Sequence, residues 1–210
     1  MSTATKPNTL GVTAVVLAGG MSRRLGRNKA LEPIGGQPLI CRVTDRLAQV
    51  AGGLVVVVNE AERATLLPLP SGARVTVDKY PGKGSLGGLF TGLSAATQPW
   101  AVMVACDMPF LSVALLRHML SLREGHDAVV PVVEDRPEPL HALYSTRCLP
   151  FMERRLQADD LKIARFFDEV RVRYVTEPEL RKVDAELLSF FNINTQQDVD
   201  RARAMAAQER

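Results

Sequence analysis

The chain has few cysteines, few aromatic residues and no long apolar run, and each shortage excludes a class of protein. Its three cysteines, Cys41, Cys106 and Cys148, are odd in number, widely spaced and free of any CxxC pattern. That argues against a disulfide framework and against a zinc site, and makes a reducing cytoplasm the default location. Aromatic residues make up only 5% of the 210, and no basic stripe carries interleaved stacking residues, so nucleic acid is not an expected partner. The longest apolar stretches, residues 12 to 18 and 54 to 58, fall far short of the ~20 residues that span a bilayer, so no membrane is expected either. Two common nucleotide motifs are also missing. Lys29 is followed by Ala30 and has no glycine just before it, which rules out GxxxxGK[ST], and Gly19-Gly20 followed only by Gly26 does not supply GxGxxG.

What remains is a chain long enough to bury a real core, with an ordinary apolar fraction of 46%. Residues 1 to 10 are polar around Pro7 and read as a flexible leader, ahead of one domain over 11 to 210. Short β-branched runs alternate with helical patterns, the mark of βαβ units and a largely parallel sheet with helices on both faces. Strands are expected at 12 to 18, 54 to 58, 74 to 77, 101 to 105, 127 to 132 and 140 to 144. Helices are expected at 38 to 50, 60 to 67, 86 to 97, 112 to 122, 146 to 157 and 195 to 207, the last capped by Thr195. The fold class is therefore α/β, a single Rossmann-like three-layer domain.

Net charge is only +3, and the basic residues are scattered except for Arg23, Arg24, Arg27 and Lys29. That cluster follows the first apolar strand and the pair Gly19-Gly20. Glycines at a strand end let backbone N–H groups approach an anion, and the cations neutralise it, so the segment reads as a phosphate-handling loop. An ordinary β-turn with solvated charges would share part of the pattern. In parallel α/β sheets ligands sit at the carboxyl ends of strands, and Gly19, Asn59, Asp78 and Asp107 follow the first four expected strands. Each also has a bland reading: Asn59 and Asp78 suit turns, and Asp107 before Met108-Pro109 suits a helix cap.

The order Leu17-Ala18-Gly19-Gly20, Ser22, Arg24, Gly26, Lys29 resembles the LAGGxSxRxGxxK signature of nucleoside-triphosphate transferases. Within that superfamily the chain is most similar to the molybdenum cofactor guanylyltransferases. Further matches are Val-Val-Val-Asn at 56 to 59, Asp78 followed by a Gly-rich segment through Gly88, Cys106-Asp107-Met108-Pro109 and Asn192-Ile193-Asn194-Thr195. The resemblance implies a fold of the nucleotide-diphospho-sugar transferase type. It implies transfer of GMP from GTP to molybdenum-bearing molybdopterin, with pyrophosphate released and magnesium (Mg2+) as cofactor. It also implies molybdenum-insertion and client molybdoenzyme proteins as partners.

By the same resemblance, Leu17, Ala18, Gly19, Gly20, Lys29, Asn59, Asp78 and Asp107 bind the nucleotide. Arg24, Lys29 and Asp107 carry catalysis, Asp107 holds the metal, and Asn192 and Asn194 lie on the acceptor side. Related cytidylyltransferases have Ala where Gly19 stands, so the missing Cβ is expected to leave room for a purine. Two departures stand out. Family members often have Asp where this chain has Asn28, and many read Pro-Gly-Pro where it has Gly82-Lys83-Gly84-Ser85. The alternatives on this fold are a cytidylyltransferase or a sugar-phosphate nucleotidyltransferase. From another class, a non-catalytic cofactor-delivery protein is opposed by Arg24, Lys29 and Asp107 occurring together. His118, His126 and His141 show no metal-ligand spacing, and Cys106 is expected to be a small buried neighbour of the site.

Overall fold

A computed structural model describes residues 11–19 and 26–209. The leader read at 1 to 10, together with Gly20, Ser22 and Arg24, lies outside the described residues. The first half runs β1 (Val12–Leu17), a 3-10 turn (Lys29–Leu31), β2 (Pro33–Ile34), β3 (Gln37–Pro38), α1 (Leu39–Leu47), β4 (Gly53–Val58), α2 (Ala61–Thr65), β5 (Arg74–Val77) and α3 (Gly84–Ser94). The second half runs β6 (Trp100–Ala105), α4 (Val113–Ser121), β7 (Ala128–Val133), β8 (Arg136–Pro137), β9 (His141–Ser145), α5 (Leu149–Gln157), β10 (Val172–Val175), α6 (Glu177–Arg181) and α7 (Gln196–Gln208).

The main sheet has the order β10-β7-β9-β6-β1-β4-β5, with β8 hairpinned onto β7. Along that order only β9 runs antiparallel to its neighbours. β1 lies inside the sheet, paired in parallel to β4 and β6. This position explains its largely apolar sequence, because both its faces are covered, and the one hydroxyl in it, on Thr13, accepts from the Thr97 and Gln98 amides. Val12, Ala14 and Val16 point into a core shared with α1, α4 and α7, and Val15 into a second core formed with α3 and α5. The result is the expected three-layer α/β/α arrangement.

Helix α3 holds four glycines, an arrangement that costs roughly 1 kcal/mol each against alanine unless close approach requires them. At Gly92 it does. An added Cβ would lie 2.4 Å from Val15 Cγ1 and 3.1 Å from Val57 Cγ2, so α3 lies flush on the sheet.

The element boundaries shift in places for local reasons. The helix expected from 146 begins instead at Leu149, after a 3-10 turn over Thr146–Cys148. Pro150 sets this start, since a residue without an N–H is tolerated only in the first turn. The β2–β3 hairpin is additional, turned by Gly35 and Gly36 at φ of 61° and 86°. Strand β10 and helix α6 are additional too. β10 is a half-exposed edge strand in which Arg173 and Tyr174 interrupt the apolar pattern.

Candidate active site at the strand ends

The carboxyl ends of β1, β4, β5 and β6 surround a cleft of about 500 Å³, lined among others by Leu17, Gly19, Lys29, Asn59, Asp78 and Asp107. Backbone bonds fix this rim. The amide of Ala18 donates to Val57 O at 2.8 Å, that of Asp78 to Val58 O at 2.8 Å, and that of Cys106 to Leu17 O at 3.1 Å. Four segments remote in sequence are thus placed by the parallel ladder itself. Ala18 is buried beneath the rim.

At the centre, Lys29 Nζ donates to Asp107 Oδ2 at 2.6 Å, to Ile193 O at 3.2 Å and to Asn194 Oδ1 at 3.4 Å. Lys29 opens a 3-10 turn whose N-cap is Asn28, the side chain of which accepts from the Ala30 amide at 3.2 Å. The departure from Asp at 28 is therefore accommodated. Capping needs an oxygen acceptor, and an amide supplies one without a charge. Asp107 Oδ1 is buried and has no hydrogen-bond partner among the described residues.

Gly19 has a more specific role than open space. A Cβ there would fall 2.0 Å from Asn59 Oδ1 and 2.9 Å from Asn59 Cγ, so the Asn59 amide rests on the bare Cα. Asp78 Oδ1 accepts from the Tyr80 amide and from the Thr91 hydroxyl, each at 3.0 Å. Gly82, Gly84 and Ser85 of the glycine-rich segment line the cleft. Lys83 anchors that segment by an ion pair with Asp159 at 2.6 Å.

The two C-terminal asparagines separate. Asn194 faces Lys29, whereas the Asn192 amide donates to Phe190 O at 3.0 Å within its own loop. That loop is tied to the metal-candidate loop by the Ile193 amide donating to Asp107 O at 2.9 Å. Cys106 is buried beside Asp107, and burial, reinforced by that carboxylate, pushes its thiol up to about 12, which makes it unreactive. His141 is fully buried on β9 against the Phe190 ring at 4.7 Å, and burial pushes its pKa down to about 4.

Two supporting residues were not singled out from the sequence. Buried Arg42 donates from Nε to Pro109 O at 2.7 Å, pairs with Glu209 and lies over the Phe110 ring at 5.2 Å, so it braces the loop that carries Asp107. An arginine between Cys41 and Val43, on the apolar side of an amphipathic helix, is the signal that could have found it. Thr91 is the other, a lone hydroxyl in the buried run Leu89-Phe90-Thr91-Gly92-Leu93.

A doubly wound sheet whose carboxyl edge gathers a glycine corner, a lysine and two aspartates around an open cleft defines an α/β protein of the nucleotide-handling class. Residues 14–174 match the model of the MobA-like NTP transferase domain. The chain belongs to that family. It is 40% identical over 195 residues to the molybdenum cofactor guanylyltransferase of Desulfosudis oleivorans, covering 92% of this chain and 95% of the relative. It is 38% identical over 201 residues to a probable molybdenum cofactor guanylyltransferase of Pelotomaculum thermopropionicum, covering 96% of both chains. Among solved structures it is similar to molybdopterin-guanine dinucleotide biosynthesis protein A of Archaeoglobus fulgidus, with a TM-score of 0.80, 32% identity and 93% and 99% of the two chains covered.

Proposed function

We propose that this chain transfers GMP from GTP to molybdopterin carrying molybdenum, forming the guanine dinucleotide cofactor and releasing pyrophosphate. The observation that carries the reading is the convergence of four strand ends around the Lys29–Asp107 pair, in a chain 40% identical to a guanylyltransferase. An acceptor phosphate oxygen bonds to the α-phosphorus of GTP while the bond from that phosphorus to the bridging oxygen breaks, and the electron pair leaves with pyrophosphate. Little covalent chemistry is asked of the protein, so positioning and charge stabilisation dominate.

In this reading Leu17, Ala18, Gly19 and Gly20 bring backbone to the nucleotide, and Asn59 and Asp78 read the nucleoside. Lys29 and Arg24 neutralise the phosphates, and Asn192 and Asn194 shape the acceptor side. Asp107, whose buried Oδ1 has no hydrogen-bond partner among the described residues, is the residue that would hold a magnesium ion. Such an ion, when bound, neutralises charge on the phosphoryl oxygens. Among the described residues no group of three or more His, Cys, Asp or Glu side chains is placed to hold a metal. Among the described residues no helix is long and apolar enough to cross a membrane. In this reading the enzyme works in the cytoplasm and hands its product to client molybdoenzymes.

The test is thermal stabilisation by GTP, CTP and ATP with and without magnesium, followed by pyrophosphate release with molybdopterin as acceptor. A ligand at ~100 times its dissociation constant adds ~2.7 kcal/mol of stability. Selective, magnesium-enhanced stabilisation by GTP is expected. Preference for CTP would make the chain a cytidylyltransferase, and no response to any triphosphate would overturn the donor reading.

A further inference from the structure

The cleft wall formed by β5 and α3 holds an arrangement beyond the residues already assigned. Asp78 is half-buried at the end of β5, and both hydrogen bonds to its Oδ1 come from the protein, one from the Tyr80 N–H and one from the Thr91 O–H, each at 3.0 Å. The same Thr91 oxygen accepts from the Lys79 N–H at 3.0 Å. Thr91 is fully buried, so neither bond is exchanged with water at low cost.

The turn is clasped from a second direction as well. Gly87, one turn before Thr91 on α3, sits so close that an added Cβ would lie 2.9 Å from Tyr80 O and 3.4 Å from Asp78 Oδ1. The Tyr80 ring meets Phe90 edge-on at 5.3 Å. Helix α3 therefore fixes the backbone of residues 78 to 80 through packing and the carboxylate rotation of Asp78 through one hydroxyl. A carboxylate oxygen has two acceptor sites, and those of Oδ1 are filled. Among the described residues Oδ2 has no protein hydrogen-bond partner, and Asp78 is one of the residues that line the cleft.

We propose that Thr91 is a positioning residue for donor recognition, locking Asp78 so that one oxygen, Oδ2, is presented to the N–H or O–H donors of the nucleoside. This rests on the reading that GTP is the donor. Without the Thr91 hydroxyl the carboxylate turns about its own axis, the Lys79 amide loses its acceptor, and both oxygens compete for protein and ligand donors. In the proposed reading the phosphates are held by Lys29 and Arg24 and not by Asp78, so the consequence falls on nucleoside affinity rather than on the chemical step.

The experiment is calorimetric titration of wild type, Thr91→Val and Thr91→Ser with GTP, 2′,3′-dideoxy-GTP and ATP, with melting curves showing that each variant is folded. Thr91→Val keeps the shape and removes the hydroxyl; Thr91→Ala replaces it should valine disturb the fold. A lost hydrogen bond to a charged group predicts GTP binding weaker by about tenfold in Thr91→Val, with turnover at saturation within about twofold of wild type. Thr91→Ser should restore affinity to within about twofold, because it keeps the hydroxyl. If Oδ2 reads the base edge, the tenfold loss extends to dideoxy-GTP and spares ATP. If it reads the sugar hydroxyls, the loss extends to ATP and spares dideoxy-GTP. Equal loss for all three nucleotides, unchanged GTP affinity in Thr91→Val, or a serine variant as weak as valine would each overturn the proposal. Wild type that fails to bind GTP would instead overturn the donor reading itself.

Discussion

Lys29 and Asp107, 78 positions apart in sequence, meet at 2.6 Å on the floor of the cleft, with both side chains about 15% exposed. The ammonium occupies one oxygen of the very carboxylate proposed to hold the metal. The ammonium and the proposed cation would therefore compete for the same carboxylate. The same ammonium touches Ile193 O and Asn194 Oδ1, so it joins the Asp107 loop to the loop before α7.

Lys29→Met tests this competition. Removing the ammonium leaves a mostly buried carboxylate unpaired, at a cost of order 1–3 kcal/mol. Magnesium alone is then expected to raise the melting temperature of the variant more than that of wild type, because the ammonium no longer competes for Asp107. Equal magnesium responses would show that Lys29 and the ion do not share the carboxylate.

Asp107→Asn should fold, since an amide oxygen still accepts from Lys29. Its magnesium-dependent pyrophosphate release from GTP is expected to fall by on the order of a hundredfold or more. Activity within a few-fold of wild type would remove Asp107 from both catalysis and metal binding.

At Gly19 the prediction is a pair of effects that separate. In Gly19→Ala the new Cβ would lie 2.0 Å from Asn59 Oδ1, so the amide has to swing away. GTP affinity drops with it, and stability falls by ~1–3 kcal/mol through overpacking. Adding Asn59→Ala relieves the clash and should restore the melting temperature while leaving GTP binding weak. A double variant that regains full affinity would show that Asn59 does not read the nucleotide.

Much of this site was legible because parallel buried strands read as unbroken apolar runs, and the residue after each run lies on the ligand-binding edge. Gly19, Asn59 and Asp107 were reached in that way, whereas Asp78 follows the alternating edge strand Arg-Val-Thr-Val and was reached from its strand-end position and the family resemblance. The supporting residues were harder to see. Thr91 sits in a buried helical stretch where one hydroxyl resembles tolerated core polarity, and its partner Asp78 is 13 positions away on another element. Arg42 reaches Pro109 across 67 positions, a contact that only the packing of α1 creates. The β2–β3 hairpin is a different case. Its Gly35-Gly36 turn is a readable two-residue signal, but flanking strands of two residues each leave no periodicity to support it.

His141 supplies the last prediction, and its sign follows from burial. The unfolded ring titrates near 6.5, whereas in the folded protein burial holds it down to about 4 against smaller opposing effects of the Ser189 backbone and Asp184. Between those values the unfolded chain binds the extra proton, so stability rises with pH across that window. The contribution is complete above about pH 6.5 and is lost as pH falls towards 4, with a size of order 3 kcal/mol. The depressed carboxyls of Asp127 and Glu179, both held down to about 2, withdraw their own stabilisation as pH falls from about 4.5 towards 2, mostly below the tested range and equally in both proteins, so the comparison with His141→Leu isolates the ring. Denaturant unfolding of wild type and His141→Leu from pH 7.5 to 4.5 checks it. Wild type should lose stability steadily below pH 6.5, and the leucine variant should lose less over the same range. Because His141 packs on Phe190, one residue before the Phe191-Asn192-Ile193-Asn194 loop, protonation would loosen the support of the segment that touches Lys29. Parallel pH slopes in the two proteins would show that the buried ring is not the group that titrates.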